Sequence, residues 1–168
     1  MTSLVVPNRD AMHQWGERLA SLLRAGDLVV LSGGLGAGKT TLTQGIGRGL
    51  RVRGDITSPT FVIARVHPSL VAGPPLVHVD AYRLSSLDEV DDLDLDTSIE
   101  GSVTVVEWGQ GKVESLAEDR LVVHIERPVG GEATTAGSEV DEPRTVSVTG
   151  VGSRWADVDL GTLASTGA

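Results

Sequence analysis

Residues 33–41 read Gly-Gly-Leu-Gly-Ala-Gly-Lys-Thr-Thr, and this run constrains the chain more than any other. It matches the pattern G-x-x-x-x-G-K-[ST] through Gly33, Gly38, Lys39 and Thr40. The short apolar run Asp27-Leu-Val-Val-Leu-Ser32 before it is of strand type. After it, Leu42, Ile46 and Leu50 are spaced four apart on one helical face. Strand, glycine loop and helix form the context that a phosphate-binding loop requires. The glycines let the backbone curl until successive N–H groups face one anion. The helix N-terminus adds its dipole and its unpaired N–H groups. Lys39 supplies a point charge for the outer phosphates, and the Thr40 hydroxyl is a hard oxygen suited to Mg²⁺. The expected nucleotide contacts are therefore Gly34, Leu35, Gly36, Ala37, Gly38, Lys39, Thr40 and Thr41. A plain glycine-rich turn would leave Lys39-Thr40-Thr41 unexplained.

Composition narrows the class. A chain of 168 residues is expected to form one domain with a real core, here residues 1–157, with 158–168 a tail expected to fray. Aromatic residues make up only 3%, so the core must rest on Val, Leu, Ile and Ala. The chain has no cysteine, which excludes disulfides, thiolate metal sites and cysteine nucleophiles. No basic-then-apolar leader opens it, and no apolar run approaches the roughly 20 residues a membrane span needs, so a cytoplasmic setting is expected. The net charge of −9 disfavours general nucleic-acid binding, which needs clustered Lys and Arg. Any role near RNA is expected to run through a protein partner. Lys39 is one of only two lysines, the other being Lys112, so it is not drawn from a lysine-rich surface.

Helical periodicity over residues 9–25 places Trp15, Leu19, Leu22 and Leu23 on one face, with Gly26 as the stop. A strand over 28–32 and a helix over 39–50 follow. Strands are expected over 61–66, 76–80, 102–107, 121–126 and 145–149. A short acidic helix is expected within 88–96, and a mobile loop over 129–142. Alternating strands and helices argue for an α/β three-layer domain. The close strand spacing after residue 60 argues for some antiparallel pairing, hence a mixed, mainly parallel sheet.

Two acids close apolar strands. Asp80 ends Leu76-Val-His-Val and Glu107 ends Val103-Thr-Val-Val. Strand carboxyl ends line the ligand crevice of a doubly wound sheet, where a nucleotide hydrolase needs carboxylates for Mg²⁺ or for the attacking water. Lys39, Asp80 and Glu107 are thus the candidate catalytic residues. Thr57-Ser-Pro-Thr60 is a candidate phosphate-sensing loop, although composition alone favours a plain turn. His78 shares a strand face with Asp80, but a lone strand histidine is more often structural, and no histidine is assigned to catalysis. Trp108 follows Glu107 as a packing residue or as a lid beside the nucleotide.

Taken together, Leu35-Gly-Ala-Gly-Lys-Thr-Thr41, Thr57-Ser-Pro-Thr-Phe61, His78-Val-Asp-Ala-Tyr-Arg-Leu84 and Val106-Glu-Trp108 resemble the bacterial tRNA threonylcarbamoyladenosine biosynthesis TsaE family. The resemblance runs from about residue 7 to about 127 and more loosely to about 155. It implies a P-loop NTPase domain that binds ATP and hydrolyses it slowly with Mg²⁺. It implies partnership with TsaD and TsaB, which transfer a threonylcarbamoyl group to adenosine 37 of tRNA, a transfer the family member does not itself catalyse. Contact with tRNA would be indirect, through that complex. By position, the resemblance gives Thr40 and Glu107 the metal, and makes Asp80 a Walker-B-like acid, as a base or as an orienting group behind the metal. It gives the switch to Thr57 through Thr60, and places Trp108 and Arg144 at the nucleotide. This chain departs from the pattern at Gly34, where an acid or amide is frequent, at Met12, where Thr is frequent, and at Gly109. Its 129–142 segment is also longer.

Three other readings share parts of this pattern. A regulatory GTPase would need Asn-Lys-x-Asp to read guanine, and the chain has no such run. A small-molecule kinase would need an acceptor pocket and an arginine-bearing lid, for which Arg48, Arg51 and Arg53 could be recruited. A module that senses ATP without turnover would share the same loop.

Overall fold

The structure, a computed structural model, describes residues 1–34, 36–57, 64–81, 99–108, 113, 117–128 and 142–165. Its centre is strand β2 (Leu28–Gly33), whose residues from Leu28 to Ser32 are all buried. It pairs in parallel with β5 (Val103–Glu107) on one side and β6 (Arg120–Glu126) on the other. Beyond β5 lie β4 (Leu76–Asp80), parallel to it, and then β3 (Ala64–His67), antiparallel at the edge. Beyond β6 lie β7 (Arg144–Val151) and β1 (Thr2–Val6), each antiparallel to its predecessor. The seven-stranded order is β1-β7-β6-β2-β5-β4-β3. Every strand but β3 and β7 points the same way, so the sheet is mixed and mainly parallel, as the spacing of the strands predicts.

Side-chain alternation divides the apolar residues of β2 between two cores. Val29 and Leu31 join Val105, Val123 and Ile125 under helices α1 (Arg9–Ala20) and α2 (Lys39–Leu50). Leu28 and Val30 join Val77, Val79 and Val106 on the opposite face, with Ile99 and Val113 packed over them. Burial of both faces is why β2 reads as a continuous apolar run.

Helix α1 starts where Asn8 caps it, its side-chain oxygen accepting from the Ala11 N–H at 2.8 Å. It ends at Ala20 rather than near residue 25. The chain then turns toward Asp27, whose buried carboxylate accepts from the Arg24 N–H and pairs with Arg154 at 3.0 Å. That polar anchor is invisible to a count of helical periodicity. Strand β1 was not anticipated, because its partner β7 lies across the whole length of the chain. The tail expected to fray from residue 158 does not do so through residue 165. Leu160–Leu163 forms a 3₁₀ turn that buries Leu160 and Leu163, and the Trp15 indole donates to the Leu163 carbonyl at 3.2 Å. A four-residue helix, α3 (Ser153–Ala156), precedes it and buries Trp155. The expected helix within 88–96, nearly all of the expected 129–142 loop and residues 61–63 of the expected 61–66 strand lie outside the described residues.

Helix α2 carries glycines at 45, 47 and 49, each costing about 1 kcal/mol of helix propensity against alanine. Close approach explains them. A Cβ on Gly45 would collide with the His13 carbonyl, and one on Gly49 would stand 2.5 Å from the Ala20 Cβ. On α1, a Cβ on Gly16 would stand 2.7 Å from the Leu42 carbonyl. The two helices thus lie nearly backbone to backbone, which fixes the start of α2 against the sheet. Gly45→Ala should therefore destabilise the fold by about 1–3 kcal/mol despite its better helix propensity. Urea unfolding checks this, and an unchanged or raised midpoint would contradict it.

Candidate functional site

The loop between β2 and α2 gathers the glycine-run residues. Gly33, Gly36 and Gly38 have φ of 149°, 73° and 113°, the left-handed region that favours glycine. Gly33 has a further reason, since a Cβ there would stand 2.5 Å from the Ile125 carbonyl of β6. The loop closes with the Ala37 N–H donating to the Gly34 carbonyl at 3.1 Å, and α2 opens at Lys39 with Thr40 and Thr41 in its first turn. Among the described residues, no side chain caps the N-terminal N–H groups of α2. They remain available to an anion. Leu35 and Thr60 lie outside the described residues.

Lys39 is 7% exposed, and its ammonium curls back to donate to the Gly33 and Gly34 carbonyls at 2.9 Å each. The ring centroid of Trp108 lies 4.0 Å from Nζ. Trp108 reaches that place through a φ of 61°, an unusual value for a bulky residue, with its N–H donating to the Leu31 carbonyl. Burial lowers the Lys39 pKa from its ordinary value, and the charges of Glu107 and Asp80 pull it back up. Trp108 is therefore a cover on the lysine at the glycine loop.

Glu107 is 2% exposed, and its Oε1 accepts from the Thr40 hydroxyl at 3.1 Å. Asp80 stands opposite Glu107 in the β4–β5 register, and the Ala81 N–H after it donates to the Glu107 carbonyl. Lys39, Thr40, Asp80, Glu107 and Trp108 are thus brought to one end of the sheet, at the carboxyl ends of its central strands.

Arg144 also reaches the loop. Its Nε donates to the Ala37 carbonyl at 3.1 Å, and its Nη1 contacts the Glu142 carboxylate at 3.3 Å. The same carboxylate accepts from Arg127 at 3.1 Å. The hydrogen bond from Arg127 is the largest cause holding the Glu142 carboxyl below its usual range. Arg127 follows the end of β6, and a Cβ on Gly36 would stand 3.7 Å from its Nη1. Sequence reasoning named Arg144 and missed Arg127. It also missed the contact of His78 with Glu107, at 3.4 Å from Nε2 to Oε2. The signal for the latter was the shared strand face of His78 and Asp80. Thr57 is the described start of the expected switch segment. It lines a cavity of about 400 Å³ beside α2, together with His13, Gln44 and Ile56. Gln44 bridges its walls, its Oε1 accepting from His13 Nε2–H and its amide nitrogen donating to the Ile56 carbonyl.

Comparison with known proteins gives concordant matches. The family model described as "Threonylcarbamoyl adenosine biosynthesis protein TsaE" matches residues 6–133. A Streptomyces coelicolor protein named tRNA threonylcarbamoyladenosine biosynthesis protein TsaE is 67% identical over 154 residues, covering 91% of this chain and 99% of that protein. The Bacillus subtilis protein of the same name is 39% identical over 137 residues, covering 81% and 77%. The crystal structure of Bacillus subtilis YdiB superposes with a TM-score of 0.67 at 29% identity, covering 92% of this chain and 88% of that one.

The buried ammonium predicts a pH dependence. A bound phosphate favours the charged lysine, so binding raises the Lys39 pKa and takes up a proton where the free protein has begun to lose one. Affinity for metal-free ADP should therefore fall as pH rises through the lowered Lys39 pKa, before the 10.5 of an ordinary lysine is reached. Calorimetry in buffers of different ionisation enthalpy measures the proton uptake. Affinity unchanged up to pH 10.5 would contradict it.

Proposed function

This chain belongs to the TsaE family and takes part in tRNA threonylcarbamoyladenosine biosynthesis, and from that premise we propose that it is a Mg²⁺-dependent ATPase. Its ATP cycle supports the TsaD–TsaB complex in modifying adenosine 37 of tRNA, and the chain does not itself transfer the threonylcarbamoyl group. The observation that carries the ATPase reading is the Thr40–Glu107 contact at 3.1 Å beside the Lys39 ammonium.

The donor set suits Mg²⁺ rather than a metal caged by protein. Thr40 and Glu107 offer two hard oxygens in contact with each other. Among the described residues, no group of three or more His, Cys, Asp or Glu side chains converges to hold an ion. Mg²⁺ commonly binds through one or two protein oxygens, with phosphate and water filling its octahedron. When bound, it would neutralise charge building on the phosphate oxygens.

The chain's own residues supply the rest. The loop amides and the α2 N-terminus receive the phosphate oxygens. Lys39 exchanges its two carbonyl acceptors for the outer phosphates. Thr40 and Glu107 would hold the metal, and Asp80, one strand further out, would orient water near the site. Trp108 shields the lysine from solvent, which strengthens its charge interactions. Arg144 and Arg127 brace the outer side of the loop through Ala37 and Glu142. A tightly braced loop with one carboxylate at the metal fits slow turnover that a partner accelerates.

Lys39→Ala should reduce ATP affinity and hydrolysis together, and ordinary turnover in that variant would refute the phosphate-loop assignment. Glu107→Ala should lower kcat by about 10²-fold while metal-free nucleotide affinity changes little, because it removes a metal ligand rather than a phosphate contact. An unchanged Mg²⁺ requirement would remove Glu107 from that role. Cells lacking the protein should lose threonylcarbamoyladenosine from their tRNA. Nucleoside mass spectrometry reads this directly, and an unaltered level would contradict the proposed pathway role.

A further inference from the structure

His78 sits mid-strand in β4 and is wholly buried. On that face Leu76 of its own strand and Val105, its partner on β5, are apolar, while Arg65 stands opposite it on β3 and Asp80 lies two residues on. Neither ring nitrogen makes a full hydrogen bond. Leaving a buried polar group so poorly satisfied costs about 1–3 kcal/mol, and an aliphatic side chain would fill the same buried position without that cost. Cohesion therefore does not explain an imidazole at this position.

The nearby carboxylate does. Nε2 of His78 stands 3.4 Å from Oε2 of Glu107, while the Thr40 hydroxyl donates to the other oxygen, Oε1. The last torsion of a glutamate is broad, so a carboxylate held at one oxygen rotates readily. Contacts on both oxygens fix its plane. A hydroxyl that offers its oxygen to Mg²⁺ keeps its proton to donate, so in the ATPase reading on which this inference rests Thr40 still engages Oε1. His78 supplies the contact on the other oxygen, Oε2, and the two together orient the carboxylate. Site hydrogen bonds that are long without ligand commonly tighten in the working complex, so 3.4 Å is compatible with the role.

We propose that His78 is a positioning residue, donating from Nε2–H to Glu107 and fixing the carboxylate plane that Mg²⁺ meets. It touches neither nucleotide nor metal. Its effect passes through Glu107, as the outer partners of metal ligands do elsewhere.

Three variants test this, read by ADP calorimetry with and without Mg²⁺, by the half-saturating Mg²⁺ concentration for hydrolysis, and by melting temperature. Glutamine carries its amide nitrogen about where Nε2 lies, asparagine is too short to reach Glu107, and leucine offers packing alone. His78→Leu should keep or raise the melting temperature and leave metal-free ADP affinity within about twofold, while raising half-saturating Mg²⁺ about tenfold. His78→Asn should share that defect, and His78→Gln should restore Mg²⁺ dependence to within about threefold of wild type. Wild-type Mg²⁺ dependence in His78→Leu, or equal behaviour of the Gln and Asn variants, would overturn the proposal. The Gln–Asn contrast decides the matter if the leucine variant fails to fold. A wild-type protein whose nucleotide binding ignores Mg²⁺ would instead overturn the ATPase reading and this inference with it.

Discussion

The register of β2 between its two parallel neighbours sets everything at the site. Leu31 lies opposite Glu107 on β5, and Gly33 lies opposite Ile125 on β6. The first pairing brings a strand-end carboxylate level with the start of the glycine loop. The second presses the loop's first glycine against a backbone carbonyl, where no side chain fits. A slip of one residue would send Val29 and Leu31 to the opposite face and turn Glu107 away from Thr40. Burial of both faces of β2 makes such a slip costly, so the apolar core maintains the polar site.

That site holds charge where charge is expensive. Lys39 and Glu107 are almost fully buried, His78 is wholly so, and the described glycines at 33, 36 and 38 stiffen little by themselves. The structure manages this by pairing. The ammonium rests on two carbonyls of its own loop and under an indole, and the carboxylate rests between a hydroxyl and an imidazole. In the proposed ATPase reading, the lysine's carbonyls would give way to phosphate and the threonine's oxygen would meet a metal ion, while the indole and imidazole stay in place. In the proposed reading, these contacts hold the site close to the geometry in which it would receive phosphate and metal, which is the meaning of preorganisation in electrostatic terms. The glycine-mediated crossing of α1 and α2 serves the same end, because it leaves the first turn of α2 little freedom to shift.

Much of this was legible in the residues, and the exceptions have physical causes. The apolar runs of β2, β4, β5 and β6 announce buried strands, and Leu42, Ile46 and Leu50 announce the buried face of α2. Lys39, Thr40, Asp80, Glu107 and Trp108 were singled out by the loop motif, strand ends and family resemblance, and they meet in space. What failed to show were interactions between distant parts of the chain. Strand β1 depends on β7, the end of α1 depends on Asp27 with Arg154, and the residue 160–163 turn depends on Trp15. No local periodicity encodes such partners. The brace of Arg127 on Glu142 and the contact of His78 with Glu107 belong to the same class. Alternation shows that His78 and Asp80 share a face, but only strand pairing reveals which carboxylate the imidazole meets.

In the proposed reading, this loop and its flanking oxygens grip Mg-ATP. Titration calorimetry of the wild-type chain with ATP, run once with Mg²⁺ and once with the metal chelated, measures that grip. Saturable one-to-one binding that strengthens when Mg²⁺ is present is expected. Absence of binding at millimolar ATP, or an affinity indifferent to the metal, would contradict it.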